Sequence, residues 1–112
     1  MSNYLLACVL AITLHELAHI GLARACGLRV KRMGISWIGP YLVREQGTAV
    51  VNACVALAGP LANLALALAF WHAVPLFAQV SLILGAYNLL PFVPHTDGKR
   101  AWGALRTAAR TP

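Results

Sequence analysis

The stretch His15-Glu16-Leu17-Ala18-His19 lies within an otherwise apolar run and predicts both a helix and a metal site. In a helix, residues four positions apart share one face, so the two imidazoles can reach one ion together. The glutamate beside the first histidine is then close enough to act on a water molecule. In the H-E-x-x-H pattern the histidines bind zinc and the glutamate is the general base of a metallopeptidase. The alternative is a chance match on a surface helix, because the pattern is short.

The composition of the whole chain favours a membrane protein. Of its 112 residues, 60% are hydrophobic and only 11% are charged, whereas soluble domains carry about 25% charged residues. A small soluble domain has a large surface to cover and could not do so with so few charges. We expect one compact unit, residues 1–112. Cys8, Cys26 and Cys54 have no paired spacing, which indicates neither disulfides nor a cysteine-rich metal site.

The first apolar run, about residues 4–26, is long enough to cross a hydrocarbon core of about 30 Å. Its only acidic or basic side chains before Arg24 are His15, Glu16 and His19. A signal peptide is the competing interpretation, but it would have a basic N-terminal region and an uninterrupted apolar segment. Ionisable groups at membrane depth are costly, so their presence predicts a functional site.

Residues 28–44 follow Gly27, which is expected to end the first helix. Polar and apolar residues partly alternate in this segment, and Gly39-Pro40 is a turn signal between two β-prone runs. We predict a short β-hairpin at the membrane surface, with an irregular basic loop as the alternative.

The segment between Gln46 and Thr96 contains no Asp, Glu, Lys or Arg. A single helix of that length would be about 75 Å long, so the chain must turn back. The break is expected near Pro75, which gives spans at about 48–71 and 75–92. The predicted fold is an all-α membrane protein with three transmembrane helices and an interfacial β-hairpin between the first and the second.

The basic residues predict the orientation of these spans. They fall before the second span and after the third: Arg24, Arg29, Lys31, Arg32, Arg44, Lys99, Arg100, Arg106 and Arg110. With three spans both groups lie on one side, which the positive-inside rule identifies as cytoplasmic. We expect a multi-pass protein whose N-terminus is outside and whose C-terminus is cytoplasmic. The net charge of +6 is then explained by topology and by anionic lipid of the bilayer, and not by nucleic acid.

A catalytic zinc site uses three protein ligands and leaves one position open. The further candidates are Asp97, His95, His72, Glu45 and the cysteines. Asp97 and His95 follow the third span on its cytoplasmic side, where Pro91 and Pro94 should take the backbone out of helix. Asp97 is preferred because it is one of only three acidic residues. His95 stays open as an alternative ligand.

Three motifs occur in order along the chain. They are His15-Glu16-Leu17-Ala18-His19, Ala58-Gly59-Pro60-Leu61-Ala62-Asn63, and Asn88-Leu89-Leu90-Pro91 leading to Asp97-Gly98. Together they resemble the H-E-x-x-H, G-P-x-x-N and N-x-x-P…D-G motifs of the site-2 protease family of intramembrane zinc metallopeptidases, and they cover nearly the whole chain. Two positions depart from the family pattern. Asp97 lies one residue further from Asn88 than is usual, and Lys99 replaces a second glycine.

The resemblance implies a minimal catalytic core in which His15, His19 and Asp97 bind Zn²⁺ and Glu16 activates a water molecule. Asn63 would hydrogen-bond the developing oxyanion or the substrate backbone, although a structural bond between helices is an alternative role. The expected activity is endopeptidase cleavage of a transmembrane protein whose helix unwinds locally. The competing hypotheses are a membrane metal-binding or chaperone-like protein that does not cleave, and a small soluble zincin. The sequence leaves the oligomeric state open.

Overall fold

The computed structural model describes residues 2–37, 39–91 and 96–110. The elements in this part of the chain are α1 (Ser2–Ala25), β1 (Val30–Ser36), β2 (Gly39–Arg44), α2 (Ala49–Ala69), α3 (Pro75–Asn88) and α4 (Asp97–Arg110). The protein is thus mostly helical, with one two-stranded antiparallel sheet. The predicted helical class and the hairpin between the first two apolar helices are confirmed.

Two helices are long and apolar enough, by length and composition alone, to cross a membrane. They are α1 over Asn3–Ala25 and α2 over Ala49–Ala69. The third helix, α3, has 14 residues, which is about 21 Å of helix against a hydrocarbon core of about 30 Å. In the described part of the predicted span 75–92, the helix ends at Asn88. Of the three predicted spans, two are supported among the described residues.

Local signals mark the ends of the helices. After α1, Gly27 has φ of +79°, a left-handed conformation that glycine adopts without strain. Thr48 caps α2, because its hydroxyl accepts a hydrogen bond from the Val51 N–H at 3.2 Å. Pro75 occupies the first turn of α3, where its missing N–H has no helical partner to lose.

The hairpin turns earlier than the sequence suggested. Ser36 pairs with Gly39, so Gly39-Pro40 lies inside β2. The expectation of a turn at Gly39-Pro40 is therefore wrong. A proline fits in β2 because a two-stranded ribbon leaves one edge of each strand without a ladder partner.

The central helix is α2, which contacts α1, α3 and α4. The interface between the first half of α1 and α3 is apolar and contains Ala7, Ala11 and Phe77. Close approach of α2 and α3 depends on Gly85, where a Cβ would lie 2.8 Å from the Pro60 carbonyl oxygen.

The last helix, α4, was not predicted from the sequence. Thr96 precedes it and is buried. The Thr96 Oγ1 accepts a hydrogen bond from the Lys99 N–H at 3.3 Å and donates to the Leu90 carbonyl at 2.8 Å. One hydroxyl thus caps α4 and ties it to the chain that follows α3. Gly98 allows this approach, because a Cβ there would collide with the Leu89 backbone, whose Cα would be 2.9 Å away. These contacts place Asp97 against α1.

Candidate metal centre

His15, His19 and Asp97 meet in the interior, where they are 5%, 7% and 4% exposed. The Nε2 atoms of His15 and His19 lie 2.8 Å and 3.1 Å from Asp97 Oδ2. The two Nε2 atoms are 3.1 Å from each other. One atom from each residue could therefore bind a single metal ion. The three predicted ligands are brought together, whereas the alternative ligand His95 lies outside the described residues.

A hydrogen bond on the far side of the His19 ring fixes its tautomer. Nδ1 lies 2.7 Å from the Val55 carbonyl oxygen on α2. A carbonyl can only accept, so Nδ1 carries the proton and donates it. In the neutral imidazole, Nε2 then presents its lone pair to the cluster.

The His15 ring is fixed in the same way, but through a side chain. The Asn63 Nδ2 donates to the Ala11 carbonyl at 3.1 Å, which sets the orientation of the amide. Its Oδ1 therefore faces His15 Nδ1 at 2.6 Å and accepts that proton. His15 Nε2 also presents a lone pair. Asn63, which is fully buried, forms the interhelical bond that the sequence offered as its alternative role.

Two nitrogen lone pairs and one carboxylate oxygen thus face one another with no proton among them. Three acceptors at such distances repel unless a cation lies between them or the imidazoles become protonated. Burial by itself would raise the pKa of Asp97, but its close contacts with the His15 and His19 side chains outweigh it and lower that pKa to about 2. Asp97 therefore carries its negative charge, and the donor set fits a divalent metal ion.

The metal centre opens onto a cavity of about 430 Å³ between α1, β2, α2 and α4. Glu16 lines this cavity together with His19 and Asp97. The Glu16 carboxylate forms no hydrogen bond or ion pair with another described residue. A free carboxylate in an open cavity beside metal ligands is available to exchange a proton.

At Gly59 the backbone of α2 lies beside the Nε2 atoms of His15 and His19. A Cβ built on Gly59 would lie 2.8 Å from His15 Nε2 and closer still to His19 Nε2. Only a residue without a side chain fits here. The glycine of the G-P-x-x-N segment thus lets α2 lie directly against the two imidazoles of the candidate metal centre.

The remaining candidate ligands lie elsewhere. His72 is exposed in the connection between α2 and α3. Glu45 pairs with Arg29, whose Nε is 3.2 Å from Glu45 Oε1. The cysteines do not belong to the cluster of possible ligands found among the described residues.

Two cations line the cavity that were predicted from the sequence only as markers of topology, Arg44 and Arg100. Arg100 had a local signal, since it stands three positions after Asp97 and side chains at that spacing meet on a helix. Arg44 had none, because only the folding of the hairpin against the helices brings it to the cavity.

No protein-family model matches this chain, and a search of curated proteins finds no significant match. The function must therefore be inferred from the chemistry of the site. Its geometry supplies three donor atoms that could hold a metal ion, beside an open cavity that the Glu16 side chain also lines.

Proposed function

We propose that the protein is an intramembrane zinc-dependent endopeptidase that hydrolyses peptide bonds of membrane-protein substrates. One observation carries the proposal: three metal-binding atoms of His15, His19 and Asp97 converge beside the unpaired Glu16 carboxylate in an open cavity. The order of the three sequence motifs, which resembles that of the site-2 protease family, supports it.

The donor set favours zinc among the common metals. Two imidazole nitrogens and one carboxylate oxygen are typical zinc ligands, whereas magnesium and calcium prefer oxygen alone. When bound, zinc would supply Lewis acidity and lower the pKa of a water molecule towards neutrality.

The residues of the chain then have separate roles. Glu16 would accept a proton from the attacking water and return it to the leaving amine. Val55 and Asn63 hold the two imidazoles in the tautomer that leaves Nε2 free. The Asn63 amide forms hydrogen bonds with His15 and with the Ala11 carbonyl. These contacts support a role for Asn63 in positioning the His15 ring. Its role at the oxyanion stays a prediction.

The surface favours a bilayer as the surroundings. Large apolar side chains are exposed along α1, α2 and α3, for example Leu5 at 67%, Leu68 at 83% and Ile83 at 65%. Such extended apolar surface is unusual for a soluble protein. We infer that α1 and α2 cross the membrane and that the cavity opens on the side of the hairpin and α4, which carry most of the basic residues. That side would be cytoplasmic, and the substrate would enter as a transmembrane helix.

Zinc content is the first test. Detergent-purified protein should hold about one zinc per chain, as in other three-ligand sites. Asp97→Ala should lose the ion, whereas His95→Ala and Glu45→Ala, a control outside the ligand cluster, should keep it. If zinc were lost in His95→Ala and retained in Asp97→Ala, His95 and not Asp97 would be the third ligand. No zinc in the parent protein after metal loading would refute the proposal.

Glu16→Gln separates a peptidase from a metal-binding protein of the same fold. The variant should hold zinc but fail to cleave a transmembrane helix with a central helix-breaking pair in co-reconstituted vesicles. Glu45→Gln, which removes an equal charge outside the metal centre, should keep the parent's activity. If Glu16→Gln instead preserved the protein's function in cells, the chaperone-like alternative would be favoured.

A further inference from the structure

Two guanidinium groups line the cavity that holds Glu16, His19 and Asp97. One belongs to Arg44 at the end of β2 and the other to Arg100 near the start of α4. Partial burial lowers the pKa of Arg44, and the positive charge of Arg100 lowers it further. The chain thus places two like charges in one partly desolvated space, where they repel each other.

The Arg44 side chain is held by neutral groups. Its Nη1 donates to the Glu45 carbonyl at 2.9 Å and to Asn52 Oδ1 at 3.2 Å. Asn52 is fixed in turn by Gly47, whose N–H donates to the same Oδ1 at 2.9 Å. No carboxylate among the described residues forms an ion pair with Arg44. A preorganised cation without an ion-pair partner among the described residues therefore borders the cavity.

The Arg100 side chain is only weakly engaged. Its Nη1 lies 3.4 Å from Asp97 Oδ1, a long ion pair, and the side chain is 66% exposed. Most of its N–H donors are free for a ligand. Arg100 also touches the carboxylate whose other oxygen faces the two imidazoles, so a group bound to Arg100 would lie next to the metal centre.

The charges of the cavity support the same conclusion. The cations of Arg44 and Arg100 balance the anions of Glu16 and Asp97. A divalent ion at the three ligand atoms would leave an excess of positive charge there. We propose that Arg44 and Arg100 form an anion subsite that binds an acidic side chain of the peptide substrate beside the scissile bond. This inference rests on the proposed function and adds the substrate class to it.

A carboxylate suits the subsite because guanidinium groups bind it through paired N–H donors. A lipid phosphate would satisfy the same charges. The position of the subsite favours the substrate, because Arg100 contacts a metal ligand and a headgroup held there would block a peptide from reaching Glu16.

A pair of small zinc-binding probes tests the subsite without an activity assay. Succinic acid monohydroxamate carries a carboxylate, whereas butyrohydroxamate has a similar length and no charge. Calorimetric titration of the zinc-loaded protein in neutral detergent should give at least about tenfold tighter binding of the charged probe, as expected for charge-assisted hydrogen bonds. Arg44→Gln and Arg100→Gln should each remove most of this preference.

Three controls make the result specific. Arg106→Gln removes the same charge from α4 outside the cavity and should keep the preference. Arg44→Lys keeps the charge but not the paired donors, so its preference should be intermediate. Zinc content and the affinity for butyrohydroxamate should stay at the parent value in Arg44→Gln, which shows that the metal centre is intact.

Each contrary outcome has its own meaning. Equal affinity for the two probes would overturn the subsite and leave the metal centre in place. Failure of both probes to bind a zinc-containing protein would overturn the proposed function, and this inference with it. In nanodiscs, loss of the preference with phosphatidylglycerol but not with phosphatidylcholine would identify the occupant as a lipid phosphate and overturn the assignment to substrate.

Discussion

Two regions of the interior meet along α1 and are built from opposite kinds of residue. Towards the start of α1, Ala7 and Ala11 pack on Phe77. In the next two turns of α1, His15 and His19 form directed hydrogen bonds with groups on α2, among them Asn63. Apolar contacts have no preferred direction, so a substitution in the first part should lower stability gradually, with the amount of apolar contact that is lost. In the second part each N–H group has one acceptor. Replacing one residue therefore changes which nitrogen of the neighbouring imidazole keeps a free lone pair.

Gly59→Ala should break the polar part most completely. The added methyl group would occupy the space next to both Nε2 atoms, so the two imidazoles would have to leave their positions. We expect zinc affinity to fall at least about 100-fold, as when a ligand's support is removed. Competition with a chromophoric chelator measures it.

Gly21→Ala is the matched control on α1, because a Cβ there meets nothing within 4 Å. It should keep zinc and gain up to about 1 kcal/mol of helix stability. Parent-like zinc affinity in Gly59→Ala would show that the histidines are not held against α2 as described.

Phe77→Ala should affect the apolar part without touching the metal centre. The change removes the contact with Ala11 and the edge-on contact with Phe70, whose ring centroid is 6.0 Å away. The void left by the missing ring should lower the free energy of unfolding by up to about 3 kcal/mol. This is the low end for such a change, because lipid also solvates apolar groups. Unfolding with SDS in mixed micelles measures it.

The same helix offers a control, Ile83→Ala, at a side chain that is 65% exposed and should change stability little. Zinc content should stay at the parent value in both variants. If Phe77→Ala released zinc, the two parts of the interior would be one cooperative unit and the comparison would fail.

Asn63 sharpens the comparison, because its amide links the two parts through the Ala11 carbonyl. Asn63→Ala leaves the His15 Nδ1–H without its acceptor, so zinc affinity should fall about 10- to 100-fold. Asn63→Asp keeps an acceptor for His15 and should recover part of that affinity. Zinc binding by chelator competition is the readout. Full zinc affinity in both variants, with loss of peptidase activity, would instead support the predicted role at the oxyanion.

The sequence predicted what spacing determines. Four-residue spacing places His15 and His19 on one face of α1, and the scarcity of acidic residues made Asp97 the natural third ligand. The hairpin and the ends of α1 and α2 follow from glycine, threonine and apolar runs. Each of these signals can be read from spacing or composition along the chain.

The sequence could not predict what depends on backbone groups from another helix. The Val55 and Ala11 carbonyls orient His19 and Asn63, yet neither side chain marks that role. The cavity cations were missed for a related reason, since Arg44 reaches the site only through the packing of the hairpin. The start of α4 was missed because prolines before it indicated irregular chain, while its cap depends on Thr96.

Thr96→Ala tests the smallest of these effects, on the link that brings Asp97 into the polar part. Loss of the cap should lower the free energy of unfolding by about 1 kcal/mol. It also removes the hydrogen bond to the Leu90 carbonyl, so Asp97 should be held less firmly and zinc should bind a few-fold more weakly. Thr96→Ser keeps the hydroxyl and should behave like the parent in both the SDS titration and the chelator competition. A loss of stability with unchanged zinc affinity would mean that the imidazoles and the ion hold Asp97 in place by themselves, and that the polar part is as self-sufficient as the apolar part.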